Sequence, residues 1–423
     1  MKEFCERIKH ILLNNKKVFE NYFFMTVLQI LNSLFYLLIY PYLIRTLGFD
    51  SYGLYVFAWS IVTYFIMIVT FGFDMPAVKA IAENPTDKLL KEKVLSCVFT
   101  AKIYVELISI CLFVIILISI PKLREHYILF LILFAQTVTN IIFPQWYYQG
   151  IQNMRTVTLI QLVFKLSSLP FIYFFVKSPN DVIVFATFMS LTSVLGGTTA
   201  MFMIRFKENL RIKWQSFSTL KIWYKDCLPF FLSNSAGVLK EQSIIQIIGI
   251  FFSMKDVAIY DLANKIILVP RTILMSVNAA IFPKIITNPQ KSTIRKIIKS
   301  EFFIGIVVIV CVAAFGSFAV KILGGVEMIK AYPMSIILSI TVLVWLVVGA
   351  YINFIFIPQK KYYYVTNNQI IALISFFVYA IIGLVFTKNV FVLAIAISLS
   401  GLTELLYCWL LARKIQKNTI QNK

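Results

Sequence analysis

Apolar runs of membrane-spanning length alternate with short polar segments along almost the whole chain. A helix needs about 20 mostly apolar residues to cross a bilayer, and each run is long enough to form one. The longest polar segment, residues 205–226, is too short for a separate soluble domain. The pattern therefore predicts twelve spans. They lie at about residues 21–44, 53–75, 97–119, 127–149, 157–176, 182–204, 227–252, 258–283, 301–323, 332–357, 365–387 and 389–412.

The amino-acid composition excludes a soluble enzyme. Of the 423 residues, 60% are hydrophobic and 14% are charged, whereas a soluble domain is about 45–50% apolar and about 25% charged. The 40 Lys and Arg residues outnumber the 19 Asp and Glu residues and give a formal net charge of +21. In a nucleic-acid-binding protein such cations would share one solvated face. Here they lie in short clusters between apolar runs, so we expect no nucleic-acid partner.

The basic residues fall mainly in alternate connecting segments. Cytoplasmic loops of membrane proteins carry an excess of Lys and Arg. One set of segments holds 27 of the 40 basic residues, the opposite set holds 8, and the other five lie within predicted spans. The richer set comprises residues 1–20, 76–96, 150–156, 205–226, 284–300, 358–364 and 413–423. We therefore predict an all-α membrane protein with twelve transmembrane helices and both termini in the cytoplasm.

The spans divide into two groups of six at the basic segment 205–226. A Pro-Gln pair lies at the end of the fourth span, at 144–145, and at the end of the tenth, at 358–359, which favours a duplicated six-helix unit. No small-residue cleavage site follows the first apolar run, so we expect an uncleaved anchor. We predict two pseudo-symmetric six-helix lobes with their flanking parts. These are a cytoplasmic interfacial segment 1–20, an N-lobe 21–204, a basic cytoplasmic linker 205–226, a C-lobe 227–412 and a cytoplasmic tail 413–423.

Several ionisable residues lie within or beside the predicted spans. Such a residue costs about 2.5–3.5 kcal/mol on insertion scales, so it normally faces a bundle interior or an aqueous cavity. The five cations are Lys102, Lys165, Lys240, Lys265 and Arg271. The acids are Asp74, near the cytoplasmic end of the second span, and Glu106, Glu241, Asp261 and Glu404. Because the cations occur in both halves, we expect them to line a common central cavity between the lobes.

Spacing leaves two interpretations for these charges. Lys102 with Glu106, and Asp261 with Lys265, are four residues apart and could be structural pairs within one helix. Lys165 and Arg271 have no acid three or four residues away, which favours cations that await an anionic ligand. Lys and Arg both bind phosphate, and Arg does so bidentately. Glu404 is either a proton or sodium site or a neutral, hydrogen-bonded structural acid.

Signatures of other chemistries are absent from the sequence. The chain has two His residues, no GxxxxGK[ST] phosphate-binding loop and six scattered Cys residues without a CxxC pair. We therefore expect no metal site, no cofactor and no ATPase activity. A membrane polymerase would usually have a larger outer loop or a cluster of catalytic acids, and the predicted outer loops are short. Transport without ATP fits the sequence best, and we do not expect an enzyme.

Two motifs resemble those of a known family. The segment PYLIRTLG at 41–48, followed by YGLY at 52–55, is similar to the exit of the first span in Wzx-type O-antigen flippases and their polysaccharide-transporter relatives. The segment PQWYYQG at 144–150 is similar to their P-x-W-x-x-Q-G element. Less specific similarities occur at 71–74, 258–260, 263–266, 281–284 and 403–404. The family belongs to the multidrug/oligosaccharidyl-lipid/polysaccharide exporter superfamily.

The resemblance implies a function in the bacterial cell inner membrane. A protein of this family moves an oligosaccharide repeat unit, linked to undecaprenyl pyrophosphate, from the cytoplasmic to the periplasmic leaflet. Its partners would be that lipid-linked substrate and membrane lipids, with a polysaccharide polymerase and a chain-length regulator as further candidates. We expect alternating access, with substrate binding by the five cations and ion coupling or gating by Asp74, Glu106, Glu241, Asp261 or Glu404.

Other functions remain open at this point. A multidrug cation/proton or sodium antiporter of the same superfamily would have more acids than bases in its cavity, and the spans show five cations against four clearly internal acids. A membrane polysaccharide polymerase is a second alternative. The aromatic cluster at 146–148 is expected either to stack on sugar rings or, more in keeping with its place at a span end, to form an interfacial belt.

Overall fold

All regular elements of the described chain are helical. The computed structural model describes residues 16–286, 291–359 and 361–421, and within these ranges the all-α prediction is confirmed. The α-helices are α1 Lys16–Thr70, α2 Asp74–Glu83, α3 Lys88–Ser119, α4 Pro121–Glu125, α5 Tyr127–Phe134, α6 Gln136–Ile142, α7 Gln145–Gly150, α8 Met154–Phe175, α9 Val182–Lys207, α10 Phe217–Phe251, α11 Met254–Ile286, α12 Lys291–Gly324, α13 Ala331–Tyr351, α14 Tyr362–Phe386 and α15 Phe391–Gln421. Residues 1–15 of the predicted interfacial segment and the end of the predicted tail, 422–423, lie outside the described residues.

Nine helices in the described part of the chain are long and apolar enough to cross a membrane. The first of them, Phe23–Thr70, has 48 residues and contains most of the first two predicted spans, with the interruption at Gly48 between them. Helices α10 and α11, which contain the predicted seventh and eighth spans, are not among the nine. They carry five ionisable residues of the predicted site, and such charges lower the mean hydropathy of a helix. The count of twelve spans and the cytoplasmic termini stay predictions.

Backbone geometry explains both glycines of the motif at 41–55. Helix α1 is interrupted at Gly48, whose φ of 73° lies in the left-handed region that favours glycine. Five residues later, Gly53 lies against α11, and a Cβ atom at this position would overlap the carbonyl oxygen of Met254. The first glycine therefore bends the long helix, and the second allows close backbone packing in the C-terminal unit.

The chain divides into two compact units. The N-terminal unit consists of Met1–Asn32 and Val62–Phe231, and the C-terminal unit consists of Ser33–Ile61 and Leu232–Lys423. The middle of α1 thus belongs to the C-terminal unit, and each end belongs to the N-terminal unit. These units are defined by spatial proximity, and the division into lobes 21–204 and 227–412 stays a prediction.

The core of the N-terminal unit contains the aromatic cluster of the PQWYYQG motif. Trp146, Tyr147 and Tyr148 are all buried, packed with residues such as Phe73 and Ile81. The hydroxyl of Tyr148 donates a hydrogen bond to the carbonyl oxygen of Ala200 at 2.7 Å. Neither role predicted for these rings is correct, because a ring inside the unit faces neither lipid headgroups nor a sugar. The motif is a packing element.

The C-terminal unit has a core between α13 and α15, with Val344, Val347, Phe356 and Cys408 among its buried residues. Helix α13 continues into a π-helical turn at Ile352–Phe356. Here the amide of Ile357 donates to the carbonyl of Ile352, five residues earlier, at 2.9 Å. Single π turns inside α-helical segments occur frequently at functional sites.

Candidate functional site

A cavity of about 450 Å³ lies within the C-terminal unit, among α10, α11, α13, α14, α15 and the π-helical turn. Its volume is within the range of small-molecule sites, about 300–1,000 Å³. Four of the predicted site residues line it, namely Lys240, Glu241, Arg271 and Glu404. The uncharged lining includes side chains that can bond or stack on a ligand, among them Tyr260, Asn264, Thr341, Trp345, Asn353 and Gln369.

One ion pair in this cavity is closed. The ammonium nitrogen of Lys240 lies 2.5 Å from Oε1 of Glu404, and the two side chains are only 14% and 9% exposed. The second carboxylate oxygen of Glu404 accepts a hydrogen bond from buried Asn368 at 3.3 Å. Glu404 is therefore held as one half of a buried pair, and Lys240 makes its short ionic contact with this carboxylate.

The other ion pair is open. The guanidinium of Arg271 lies 3.7 Å from the carboxylate of Glu241, and these side chains are 30% and 54% exposed. The same guanidinium lies over the ring of Trp345, 5.3 Å from its centroid. The expectation that Arg271 has no acidic partner is wrong, because Glu241 reaches it from the neighbouring helix. Trp345 was not among the predicted site residues.

The four charges of the cavity cancel. Two basic and two acidic residues line it, so the formal charge of its walls is zero. The pairs differ in how readily they would exchange partners, since only Arg271 and Glu241 keep substantial solvent access. The cationic central cavity between lobes stays a prediction, and Arg271 is the lining cation that a ligand can reach with the least loss of existing bonds.

Lys265 lies apart from the residues that line this cavity. Its ammonium group contacts the carboxylate of Asp261 in the same helix and lies 2.6 Å from the hydroxyl of Tyr52. It also lies between 5.1 and 5.7 Å from the ring centroids of Tyr36, Tyr40 and Tyr52. The predicted pair within the helix is confirmed, and three tyrosines enclose its cation.

In the N-terminal unit, Lys102 and Glu106 have separate partners. Lys102 is buried and bonds to Asp74 at 3.0 Å and to the carbonyl of Asn140 at 3.1 Å. Glu106 accepts a hydrogen bond from the Thr137 hydroxyl at 2.6 Å. The structural pair considered between Lys102 and Glu106 is therefore wrong. The partner of Lys102 begins a different helix, where spacing along α3 could not reveal it.

Lys165, on α8, bonds to an amide oxygen. Its ammonium nitrogen lies 2.5 Å from Oδ1 of Asn32, also in the N-terminal unit. Of the five predicted cations, two thus line the cavity of the C-terminal unit and three lie elsewhere. Binding of substrate by any of the five stays a prediction. Among the described residues, no group of three His, Cys, Asp or Glu side chains could hold a metal ion.

Sequence reasoning missed the uncharged half of the cavity. Trp345, Asn353 and Gln369 line it, yet the residues predicted for the site were ionisable ones and the aromatic cluster at 146–148. A usable signal existed, because Asn353 and Gln369 are amides in or beside apolar runs and need hydrogen-bond partners when buried. Trp345 gives a weaker signal, since aromatic residues make up 16% of this chain.

Curated relatives of the chain are named as transporters. A protein of Escherichia coli (strain K12) named "Putative O-antigen transporter" is 27% identical over 289 residues, which are 67% of this chain and 69% of that protein. A protein of Shigella dysenteriae with the same name is 20% identical over 258 residues. That alignment covers 60% of this chain, and the chain spans less than two thirds of the Shigella protein, 64%.

Solved structures of transporters share the fold. The structure titled "Lipid II flippase MurJ, inward closed conformation" matches with a TM-score of 0.71 at 14% identity, over 95% of this chain and 87% of that one. An inward-facing multidrug resistance MATE family transporter of the MOP superfamily matches with a TM-score of 0.64 at 13% identity, over 93% and 99%. At such identities the likeness establishes the fold alone. Together with the apolar helices, it identifies a multi-pass membrane protein.

The family is identified from the sequence. The model of the family described as "Polysaccharide biosynthesis protein" matches residues 18–288, more than half of the chain. The match includes both motifs on which the resemblance to O-antigen flippases rests, and it is consistent with the names of the curated relatives. The chain belongs to the polysaccharide biosynthesis protein family, as the motifs predict.

Proposed function

We propose that the protein is a flippase. Its substrate would be an oligosaccharide repeat unit, of O-antigen or a similar polysaccharide, linked to undecaprenyl pyrophosphate. The protein would move it from the cytoplasmic to the periplasmic leaflet of the bacterial inner membrane by alternating access. The observation that carries the proposal is the cavity of the C-terminal unit, where Arg271 lies over Trp345 and is only loosely paired with Glu241.

Arg271 is the residue we assign to the pyrophosphate. A guanidinium group binds phosphate oxygens through two parallel hydrogen bonds. Its present partner is 3.7 Å away and more than half exposed, and an exposed ion pair contributes at most about 1 kcal/mol. A pyrophosphate, with more charge and more acceptor oxygens than a carboxylate, would therefore displace Glu241 at little cost.

The uncharged lining suits a carbohydrate. Asn264, Gln369 and the hydroxyl of Tyr260 offer donors and acceptors for sugar hydroxyl groups, and Trp345 offers an aromatic face. Apolar walls with a few placed polar groups are typical of small-molecule sites. The closed pair of Lys240 and Glu404 would shape the wall of this site, and we assign it no direct bond to substrate.

The relatives support transport rather than catalysis. Two of them are named O-antigen transporters, and a structural neighbour is named a lipid II flippase. We therefore favour a carrier over a polysaccharide polymerase. A polysaccharide polymerase and a chain-length regulator remain further candidate partners. Contributions of Lys102, Lys165 and Lys265 to substrate binding belong to the same proposal, as do gating roles of Asp74 and Asp261.

The test replaces Arg271 by alanine and compares the effect with that of replacing a similar cation outside the cavity. Lys255 is such a control, because it also pairs loosely with an acid, Glu327 at 3.8 Å, and lies over an aromatic ring, that of Phe49. Surface polysaccharide is measured in a strain that lacks its own flippase and carries each variant. We expect Arg271→Ala to lower transport about tenfold or more, since a charge-assisted hydrogen bond contributes about 1.5–3 kcal/mol. Lys255→Ala should transport like the wild type.

The outcome that contradicts the assignment is equally definite. Full transport by Arg271→Ala, at equal protein levels in the membrane, would remove Arg271 from the substrate site. Arg271→Lys separates charge from geometry, because lysine keeps the positive charge and lacks the planar fork. We expect this variant to be intermediate.

A multidrug cation antiporter is the second candidate, and Glu106 favours it. This buried carboxyl accepts one hydrogen bond, from Thr137, while within the described residues its other oxygen has no hydrogen-bond partner. A buried acid of this kind could exchange a proton or a sodium ion during transport. Efflux of cationic dyes from cells carrying the protein, abolished in Glu106→Gln, would support this function over the flippase.

A further inference from the structure

A second cavity, of about 400 Å³, lies in the C-terminal unit. Its walls come from α12, the end of α13, the π-helical turn, the residues just after that turn, and α15. The polar and aromatic residues that line it are Arg295, Tyr351, Phe354, Gln359, Trp409 and Arg413. We call it the arginine pocket. None of its lining residues also lines the larger cavity, so the two are separate sites.

The polar residues that line the arginine pocket are suited to bind an anion. Arg295 and Arg413 supply two guanidinium groups and Gln359 an amide, and none of the lining residues is acidic. Arg413 lies over the ring of Trp409, with 3.7 Å between its guanidinium carbon and the ring centroid. A guanidinium that contacts a ring in this way still has N–H groups that can donate to acceptor oxygens. Two such groups in one pocket match a phosphate.

Most of the other lining residues are apolar. They include Ile294, Ile298, Phe354, Ile355 and Ile415, and Phe354 belongs to a small buried cluster with Ala350. A free anion would gain nothing from these side chains. A ligand with a charged head and an apolar body would satisfy both kinds of lining residue, because burying apolar area is favourable in proportion to the area removed from water.

The pocket lies where segments predicted to be cytoplasmic meet. Arg295, Gln359 and Arg413 belong to the basic segments 284–300, 358–364 and 413–423, respectively. The cytoplasmic leaflet carries anionic lipids, and basic pockets between membrane helices on this side bind lipid headgroups. We propose that the arginine pocket binds the phosphate headgroup of an anionic phospholipid, with the acyl chains against the apolar residues that line it.

The π-helical turn connects this site with the larger cavity. Within the turn, Phe354 and Ile355 line the arginine pocket, while Ile352 and Asn353 line the larger cavity. A lipid bound here therefore lies against a segment that also forms the wall of the proposed transport site. The lipid site itself does not depend on what the larger cavity carries, and its test needs no transport assay.

The experiment measures lipid binding by the full chain, purified in detergent, using native mass spectrometry with phosphatidylglycerol as the probe. Phosphatidylcholine, which is zwitterionic, and inorganic phosphate alone are the comparison ligands. The test variant is Arg295→Ala/Arg413→Ala. The matched control is Lys296→Ala/Lys414→Ala, which removes the same charge from neighbouring exposed residues that do not line the pocket.

We expect the wild type to bind one phosphatidylglycerol about fivefold or more tightly than phosphatidylcholine. The arginine variant should bind phosphatidylglycerol about tenfold or more weakly than the wild type, since two charge-assisted contacts are lost. The lysine control should stay within about twofold of the wild type. Arg295→Lys/Arg413→Lys, which keeps the charge and is expected to preserve the fold, should show an intermediate loss.

Three results would overturn the proposal. The arginine variant could bind phosphatidylglycerol as the wild type does, or the lysine control could lose as much binding as the arginine variant. In the third case, inorganic phosphate alone would displace the lipid at equal concentration, which would define a site for free phosphate. None of these results bears on whether Arg271 binds a pyrophosphate, so failure of the lipid site leaves the flippase proposal to its own test.

Discussion

The two ion pairs of the larger cavity begin at consecutive residues of one helix and are built in opposite ways. Lys240 reaches a buried carboxylate at 2.5 Å, with an asparagine on the other oxygen. Glu241, the next residue, reaches Arg271 at 3.7 Å across a solvent-accessible gap. Each pair joins a basic residue to a glutamate, so the types of residue do not explain the difference. Burial and the presence of a third polar group do.

The comparison distinguishes charges that stabilise the structure from charges that a ligand can bind. A buried pair leaves an uncompensated charge when one partner is removed, which costs about 3–5 kcal/mol. An exposed pair loses at most about 1 kcal/mol. An anionic ligand can therefore compete with Glu241 for Arg271, and it has no comparable access to Lys240, which Glu404 holds. The same distinction orders the following predictions.

Removal of Glu404 should have the largest effect. Glu404→Ala leaves the ammonium of Lys240, which is 14% exposed, without its carboxylate. We expect the free energy of unfolding, measured by denaturant titration in mixed micelles, to fall by about 3–5 kcal/mol. The control is Lys240→Met/Glu404→Leu, which removes both charges and should be clearly more stable than Glu404→Ala. Equal stability of the two variants would show that leaving the Lys240 ammonium without its carboxylate partner has no energetic cost.

Removal of Asp74 should have an intermediate effect. Its partner Lys102 is 3% exposed while Asp74 itself is 46% exposed, and Lys102 keeps a bond to the Asn140 carbonyl. Asp74→Ala is expected to lower the free energy of unfolding by about 1–3 kcal/mol, the cost of a buried polar group that loses one partner. Asp74→Asn, which retains an acceptor oxygen, should recover part of that loss. A change as large as that of Glu404→Ala would contradict the ranking.

Replacement of Glu241 should have the smallest effect on stability. Glu241→Gln removes the charge opposite Arg271, and we expect a change in the free energy of unfolding of less than about 1 kcal/mol. The proposed function adds a second expectation, because Glu241 would compete with phosphate for Arg271. Surface polysaccharide should therefore equal or exceed the wild-type amount. A variant that is stable and does not transport would show that Glu241 has a role in gating.

The helical pattern of the fold could be predicted from the sequence, because crossing a bilayer imposes a length and a hydrophobicity on each helix. The predicted third span, 97–119, lies within α3, and the predicted fifth, 157–176, coincides with most of α8. The first two predicted spans lie on either side of Gly48, where non-helical backbone angles interrupt α1. Hydropathy predicts the two apolar runs and does not encode the backbone angle at the bend between them.

The partners of the charges could be predicted only within a helix. Asp261 and Lys265 are four residues apart and do pair. Lys102 and Asp74 are 28 residues apart, and Lys240 and Glu404 are separated by 164. Their pairing depends on how helices pack, and a single sequence gives no measure of that. For the same reason, the sequence does not identify Trp345 as a site residue. Its role follows from the structure, in which the guanidinium of Arg271 lies over its ring.

The π-helical turn at Ile352–Phe356 gives one short segment a place in the lining of two cavities. A π turn accommodates an additional residue, so that the residues before and after it keep the orientation that an uninterrupted α-helix would give them. Deletion of one residue here would therefore remove the π turn without rotating the segment that follows, and Gln359 would keep its place at the arginine pocket. The residues of the turn itself would be redistributed around the helix. Because Ile352 and Asn353 line the larger cavity while Phe354 and Ile355 line the arginine pocket, a single deletion should alter the lining of both cavities.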